Sequence, residues 1–347
     1  MDKDYNVLYL YLGECLSSFN LEKAVCNHGF FMMSPNKWNS STKSLERPLR
    51  LEDSVTSLHV SISHPINKDY LLIRVYGTQT TLSLPDQQTI KDKVARMLRI
   101  TEKDERDIKE FQKLHGEAKD KGFGRLFRSP CLFEDVIKCI LLCNISWKQT
   151  LYMTQALCEL QAELSTSNLA KNNVRNKCGN FPSARELANM SQKNLKILCN
   201  VGYRAKYIQQ FAKKVESGKI NLKEFEQGMS YDQVYEELRK NKGFGDFTCA
   251  NVLMCIGFYQ KIPTDSETLK LLRKVHSRES TTDIVEGVAK QVYDKYAPFQ
   301  CLAYWLELVN CYENKVGRLC ELDRSKYDDV TLSENDEISM INRKRKF

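Results

Sequence analysis

Two hydrophobic periods divide this chain. Up to about residue 84 the apolar side chains alternate or run in short β-branched and aromatic stretches. The segments SVTSLHVSIS (54–63) and YLLIRVYG (70–77) read as strands separated by a turn containing Pro and Asn. SLERPLRLE (44–52), after a polar loop at 36–44, reads as another strand. From Pro85 the period lengthens to that of a helix. Ile90, Val94, Met97 and Leu98 share one face, and Val136, Ile137, Ile140 and Leu141 share another within 132–160. The polar stretch 165–180 reads as a loop between helices. From Asp323 onward, six acids and six bases with few large apolar groups predict a disordered charged tail. The pattern predicts an α+β protein: an antiparallel β-rich domain at 1–84, a helical domain at 85–322 and the tail at 323–347.

Composition narrows the class. Of 347 residues, 42% are apolar and 10% aromatic, too many large apolar side chains for a disordered chain. The net charge of +8 sits entirely on the folded body, because the tail is neutral. A surplus of that size suits an acidic partner without requiring one. Thirteen cysteines, an odd number with no C-x-x-C pair, suggest reduced thiols inside a cell. Cys301, Cys311 and Cys320 lack the spacing of a zinc or iron–sulfur site. The opening MDKDYNVLYLYLGECL has no cationic leader region, and no apolar run reaches the ~18 residues of a membrane span. These features place the chain in the cytosol or nucleus, away from membranes.

The stretch with most chemistry runs from Ser230 to Val275. Ser230-Tyr-Asp-Gln233 is a capping-box pattern that opens a helix through Lys240. Asn241-Lys242-Gly243-Phe244-Gly245-Asp246 follows, and then an almost wholly apolar helix from Phe247 to Phe258, which must lie in the interior. Two glycines between helices permit a tight turn and bare the N–H groups at the start of the second helix, a terminus that attracts phosphate. Taken alone, G-x-G equally fits an ordinary turn between helices. Pro263-Thr264-Asp265 comes next, with Asp265 standing 20 residues after Gly245 and directly before the helical ETLKLLRKV. Asp265 suits an N-cap there, and a cap also fixes the direction of a carboxylate.

K-G-F-G-D-F-T-C-A-N, the apolar helix and P-T-D together resemble the helix-hairpin-helix DNA glycosylases. Other segments agree in order. Gly124-Arg125-Leu-Phe-Arg128-Ser-Pro130 with Phe133-Glu134 resembles the run that opens that family's first core helix. Cys143-Asn144-Ile145-Ser146-Trp147-Lys148 falls where members carry the turn that enters the duplex. Phe181-Pro182 and Gly202-Tyr203-Arg204-Ala205-Lys206-Tyr207 follow in family order. The β-rich N-terminus is similar to that of the 3-methyladenine glycosylase II and 8-oxoguanine glycosylase branch. The resemblance spans roughly residues 20–315 and places the hairpin at about 231–258. Lys121-Gly122-Phe123-Gly124 repeats the hairpin tetrapeptide, but no apolar helix follows it, so it reads as a loop.

The resemblance implies a DNA repair enzyme that flips a damaged base from a duplex and cleaves its N-glycosidic bond. Asp265 is then the catalytic carboxylate. Gly243, Gly245, Lys242, Phe247, Asn144, Lys148 and Arg204 are candidate DNA contacts, with Asn144 filling the gap left by the base. Phe247, Tyr203, Trp147 and Trp305 are candidate pocket walls, although the apolar run CLAYWLELV around Trp305 suits core packing better. Bifunctional members carry a Schiff-base Lys two residues after the second hairpin glycine; Phe247 stands there, which implies no lyase step. An aromatic at that position leans toward an alkylated base, on which a flat ring stacks. A non-enzymatic damage-binding protein and an 8-oxoguanine-type glycosylase/lyase are the rival readings. The expected partner is double-stranded DNA with a damaged base, bound by a monomer. No cofactor is expected, and the hairpin admits a monovalent cation. The basic cluster Arg343-Lys344-Arg345-Lys346 suits nuclear import.

Overall fold

The computed structural model describes residues 5–78, 81–166 and 179–332. The period-two segments form one antiparallel sheet: β1 (Tyr5–Tyr11), β2 (Lys37–Asn39), β3 (Ser44–Arg50), β4 (Ser57–Ser63) and β5 (Tyr70–Tyr76), in the order β1-β5-β4-β3-β2. Alternation sends Leu8, Leu45, Leu49, Val60, Ile62, Leu71, Ile73 and Val75 to one buried face. The register places Ile62 opposite both Leu45 and Ile73, so the buried rows continue across three strands. Pro48 lies on β3 beyond the end of the short β2, where no neighbour there needs its missing N–H. Helices make up most of the rest, giving the α+β class expected.

One charge also points into the buried face of the sheet. Arg47, fully buried on β3, forks onto Glu134 of helix Leu132–Leu142, with Nη1–Oε1 and Nη2–Oε2 distances of 3.2 and 2.8 Å. Lys138, one turn on, reaches Glu134 Oε1 at 2.8 Å, and Asn36 Oδ1 accepts from Arg47 Nη1 at 2.9 Å. Burial alone would raise the Glu134 pKa; Arg47 and Lys138 outweigh it and hold the carboxyl at about 2. The network ties the sheet to the helical body.

The apolar segment after the hairpin is helix Asp246–Ile256, with Thr248 through Cys255 all buried. It ends at Gly257, whose φ of 111° is open to glycine. Its last carbonyls are buried and need donors. Arg99 Nη2 donates to Met254 O at 2.8 Å, and Arg128 Nη1 donates to Cys255 O at 2.6 Å. Asp104 balances both guanidinium groups, at 3.3 Å from Arg99 and 3.8 Å from Arg128. Arg125 pairs with Glu105 and with the Arg99 carbonyl. The charged residues of the 124–134 run are thus internal ties. Gly122 ends helix Gly116–Lys121 in a left-handed conformation and an irregular segment follows, so KGFG at 121–124 is a loop, as read.

The tail expected from residue 323 begins later than composition suggests. Residues 324–329 form a short 3-10 helix, and Tyr327, Val330 and Leu332 are buried. Tyr327 packs edge-on against Phe31, and its carbonyl accepts from Trp147 Nε1 at 2.8 Å. Three apolar side chains cannot order a free segment, but here they meet a surface already built by the sheet domain and the helix after Asn144. The remainder of that tail, including 343–346, lies outside the described residues, as does most of the loop expected at 165–180.

Glu134→Gln leaves Arg47 and Lys138 buried without a counter-charge. It is expected to lower unfolding free energy by about 3–5 kcal/mol in denaturant titrations. Because the Glu134 pKa is depressed, the native contribution is present above about pH 4.5 and lost as pH falls toward 2. The variant's stability should therefore converge on the native protein's in acid.

Candidate active site and nucleic-acid interface

The hairpin is assembled from local rules. Ser230 caps helix Tyr231–Arg239 in a capping box with Gln233. Asn241 is buried; its amide donates to the Glu237 and Leu238 carbonyls at 2.9 and 3.2 Å, closing that helix. Gly243 has φ 92°, and a Cβ there would lie 2.5 Å from the Tyr207 ring. Gly245 differs: its φ is −83° and a Cβ would meet nothing within 4 Å. Gly245 is the N-cap of helix Asp246–Ile256 and supplies no side-chain acceptor. The first-turn N–H groups of that helix are left facing outward, with the positive end of its dipole. Lys242 is exposed beside them.

Asn144 occupies the turn between helices Leu132–Leu142 and Trp147–Thr166, with φ 50°. Its side chain is exposed and donates to Tyr203 Oη at 3.4 Å. Arg204 does not face solvent as a phosphate ligand would. It is 4% exposed; its guanidinium binds the Cys143 and Asn144 carbonyls and lies over the Tyr203 ring at 4.7 Å. Bound in this way, it fixes the left-handed turn that presents Asn144. Lys148 is exposed and pairs with Asp328 at 3.1 Å.

Two cavities meet at this surface. The outer groove, about 670 Å³, is lined by Asn144, Tyr203, Tyr207, Gly243, Gly245 and Phe247 among others. The inner cavity, about 310 Å³, has aromatic walls in Trp147, Phe247, Tyr304 and Trp305. Phe247 and Asp265 line both and stand at their junction. Tyr203 belongs to the groove and does not line the inner cavity. Trp305 meets the cavity from a largely buried helix, with His28 packed edge-on at 4.3 Å. Burial first, then the charges of Arg99 and Lys138, push the His28 pKa down to about 3, so the ring is neutral.

Asp265 caps helix Ser266–His276. Its Oδ1 accepts from the Glu267 and Thr268 N–H groups at 2.9 and 3.0 Å. Its own N–H donates to Thr268 Oγ1 at 3.1 Å, which completes a capping box. No described residue donates to Oδ2. Burial pushes the carboxyl up from the usual range to about 6, against the lowering effect of the cap bonds. The site therefore holds a directed carboxylate of raised basicity at the mouth of an aromatic cavity.

Sequence reasoning missed several lining residues. His28 and Phe30 come from the sheet domain, and Val330 and Thr331 from the segment expected to be disordered. Glu267 and Lys270 follow Asp265 on the same helix and also line the inner cavity. At two and five residues from Asp265 they do not share its helical face, so no sequence signal pointed to them. Among the described residues, no group of three or more His, Cys, Asp or Glu side chains is placed to hold a metal ion, and no helix is long and apolar enough to cross a membrane.

Comparison with known proteins places this geometry in a class. Residues 137–278 match the model of the HhH-GPD superfamily base excision DNA repair proteins, a span holding the Asn144 turn, the hairpin and Asp265. No curated protein matches the sequence. Among solved structures, MBOgg1 in complex with a low-affinity DNA ligand has a TM-score of 0.59 at 20% identity, covering 88% of this chain and 97% of that one. The 3-methyladenine DNA glycosylase of Archaeoglobus fulgidus has a TM-score of 0.58 at 15% identity, covering 90% and 100%. The 8-oxoguanine glycosylase/lyase of Clostridium acetobutylicum, bound to double-stranded DNA, has a TM-score of 0.56 at 16% identity, covering 84% and 93%. The chain has the fold of these glycosylases, and its central region, residues 137–278, matches the HhH-GPD base excision repair model.

Two stability differences follow from the site itself. Gly243→Ala meets the Tyr207 ring in a strained conformation and should cost at least about 1–3 kcal/mol, whereas Gly245→Ala should cost well under 1 kcal/mol. For Asp265 the folded pKa is raised, so its proton stabilises the fold below about pH 4, and that stabilisation disappears as pH rises through 6. Asp265→Asn keeps a capping oxygen. It should raise the melting temperature at pH 7.5, by up to roughly 3 kcal/mol of stability, and the gain should vanish near pH 4.

Proposed function

We propose that this protein is a monofunctional DNA glycosylase that flips a damaged, alkylated base into the inner cavity and hydrolyses its N-glycosidic bond. The observation that carries this reading is Asp265, a half-buried carboxylate of raised pKa at the junction of groove and cavity, with one oxygen fixed by the cap. As the glycosidic bond breaks, its electron pair leaves with the base and positive charge grows on the sugar. Asp265 stabilises that cation and orients the water that adds to C1′, accepting its proton. Phe247 stands at the mouth of the cavity, where a ring stacks on the extruded base, and it supplies no amine for a Schiff base. Asn144, held out by Arg204, fills the space the base leaves. The bare first turn after Gly245, with Lys242, takes a phosphate. In this reading the protein works on duplex DNA as a nuclear monomer and needs no cofactor.

The test is single-turnover base release from duplexes carrying alkylated, oxidised or deaminated bases. Release of an alkylated base should exceed that of the others and fall at least about 100-fold in Asp265→Asn. The native rate should rise with pH through about 6, as Asp265 loses its proton. Borohydride should trap no covalent adduct; a trapped adduct would mean a lyase step. Gly245→Ala should weaken duplex binding without lowering the melting temperature, and added salt should weaken binding further by counterion release. Persistent release by Asp265→Asn would remove that residue from the chemistry.

A further inference from the structure

The inner cavity contains one amine. Lys270 lies on helix Ser266–His276, five residues after Asp265, and lines the cavity together with Asp265 and Phe247. Its Nζ donates to Glu267 Oε1 at 2.9 Å and to the Leu332 carbonyl at 2.6 Å. An ammonium group carries three protons, and no described residue accepts the third. Glu267 is held from its other oxygen as well: Oε2 accepts from the Leu332 N–H at 2.6 Å and from Tyr312 Oη at 3.1 Å. Lys270 is the more exposed member of the pair, 29% against 17%, and both residues line the cavity.

We propose that Lys270 reads the extruded base, donating its remaining proton to an acceptor on that base. This rests on the inner cavity being the base pocket. Lys270 and Glu267 form a neutral pair beside the Asp265 carboxylate, so the discrimination comes from the directed, charge-assisted hydrogen bond rather than from net charge. The pocket therefore favours an alkylated base that keeps a ring-nitrogen or carbonyl acceptor open to Lys270 over one whose ring nitrogen is blocked and made cationic by alkylation. The selection depends on the segment ending at Leu332, because that backbone supplies both the carbonyl that anchors Lys270 and the N–H that anchors Glu267.

The test uses the full chain carrying Asp265→Asn, so that binding is read without cleavage. Three duplexes are compared: one with ethenoadenine (uncharged, with ring-nitrogen acceptors), one with 7-methylguanine (cationic) and one with a tetrahydrofuran abasic analogue. The Asp265→Asn protein should prefer ethenoadenine. Adding Lys270→Met should weaken ethenoadenine binding about 10- to 100-fold, remove the preference over 7-methylguanine and leave abasic binding unchanged. Lys270→Gln keeps an N–H donor without the charge. It should retain part of the ethenoadenine affinity, and it answers the question if the Met variant does not fold. Equal losses on all three duplexes, or unchanged ethenoadenine affinity, would overturn the assignment. Base release is then measured with Asp265 restored. No release alongside Lys270-dependent discrimination overturns the hydrolytic reading alone; release without such discrimination overturns the role of Lys270 alone.

Discussion

The structure turns on the carbonyl end of helix Asp246–Ile256. This helix is apolar nearly all round and is buried along its length, so its final carbonyls have no water to bind. Arg99 and Arg128 supply the donors from inside the protein, on Met254 and Cys255. A guanidinium in the interior needs a carboxylate in turn, and Asp104 serves both. Burial would raise the Asp104 pKa, but the two arginines outweigh it and hold the carboxyl below the usual range. Cations at one end of the helix complement its dipole, and the other end opens on Gly245 with no side-chain cap. The same helix therefore buries one terminus at the cost of an ion network and leaves the other, positive end without a side-chain cap.

Asp265 shows a comparable trade. Capping with Oδ1 settles the direction of the side chain, while burial makes its charge expensive. A residue chosen only to begin that helix would serve as well uncharged. The charge is retained where it destabilises the fold, at the junction of two cavities, a combination that capping alone does not require.

Strands β3, β4 and β5, the hairpin and the caps at Ser230 and Asp265 were legible because each depends on local pattern: period-two alternation, a capping box, a polar residue before an apolar helix. Arg204 was misread for a physical reason. A basic residue in a turn motif looks like a phosphate ligand until the structure shows two backbone carbonyls that must be satisfied there. The segment at 323–332 was misread because composition measures whether a segment can order itself, and this one orders on a surface made by residues nearly 300 positions earlier, through Phe31 and Tyr327. His28 and Lys270 carried no motif. Their place in the cavity depends on how the sheet domain and residues 324–332 close over the helical core, which no local pattern encodes.

That closure separates two roles in the molecule. The span 137–278 that matches the family model contains the hairpin, Phe247, Asp265 and Lys270. Much of the cavity wall lies outside it: His28 and Phe30 from the β-rich domain, Tyr304 and Trp305 from a later helix, and Val330 and Thr331 beyond that. The hairpin, Phe247 and Asp265 sit in one contiguous span, whereas three distant parts of the chain close the cavity beside them. Arg47–Glu134 holds the first of those parts to the helix Leu132–Leu142 that leads into the span, and Leu332 links the last to Lys270. Changes in the enclosing segments therefore reshape the cavity wall while leaving the hairpin and Asp265 in place.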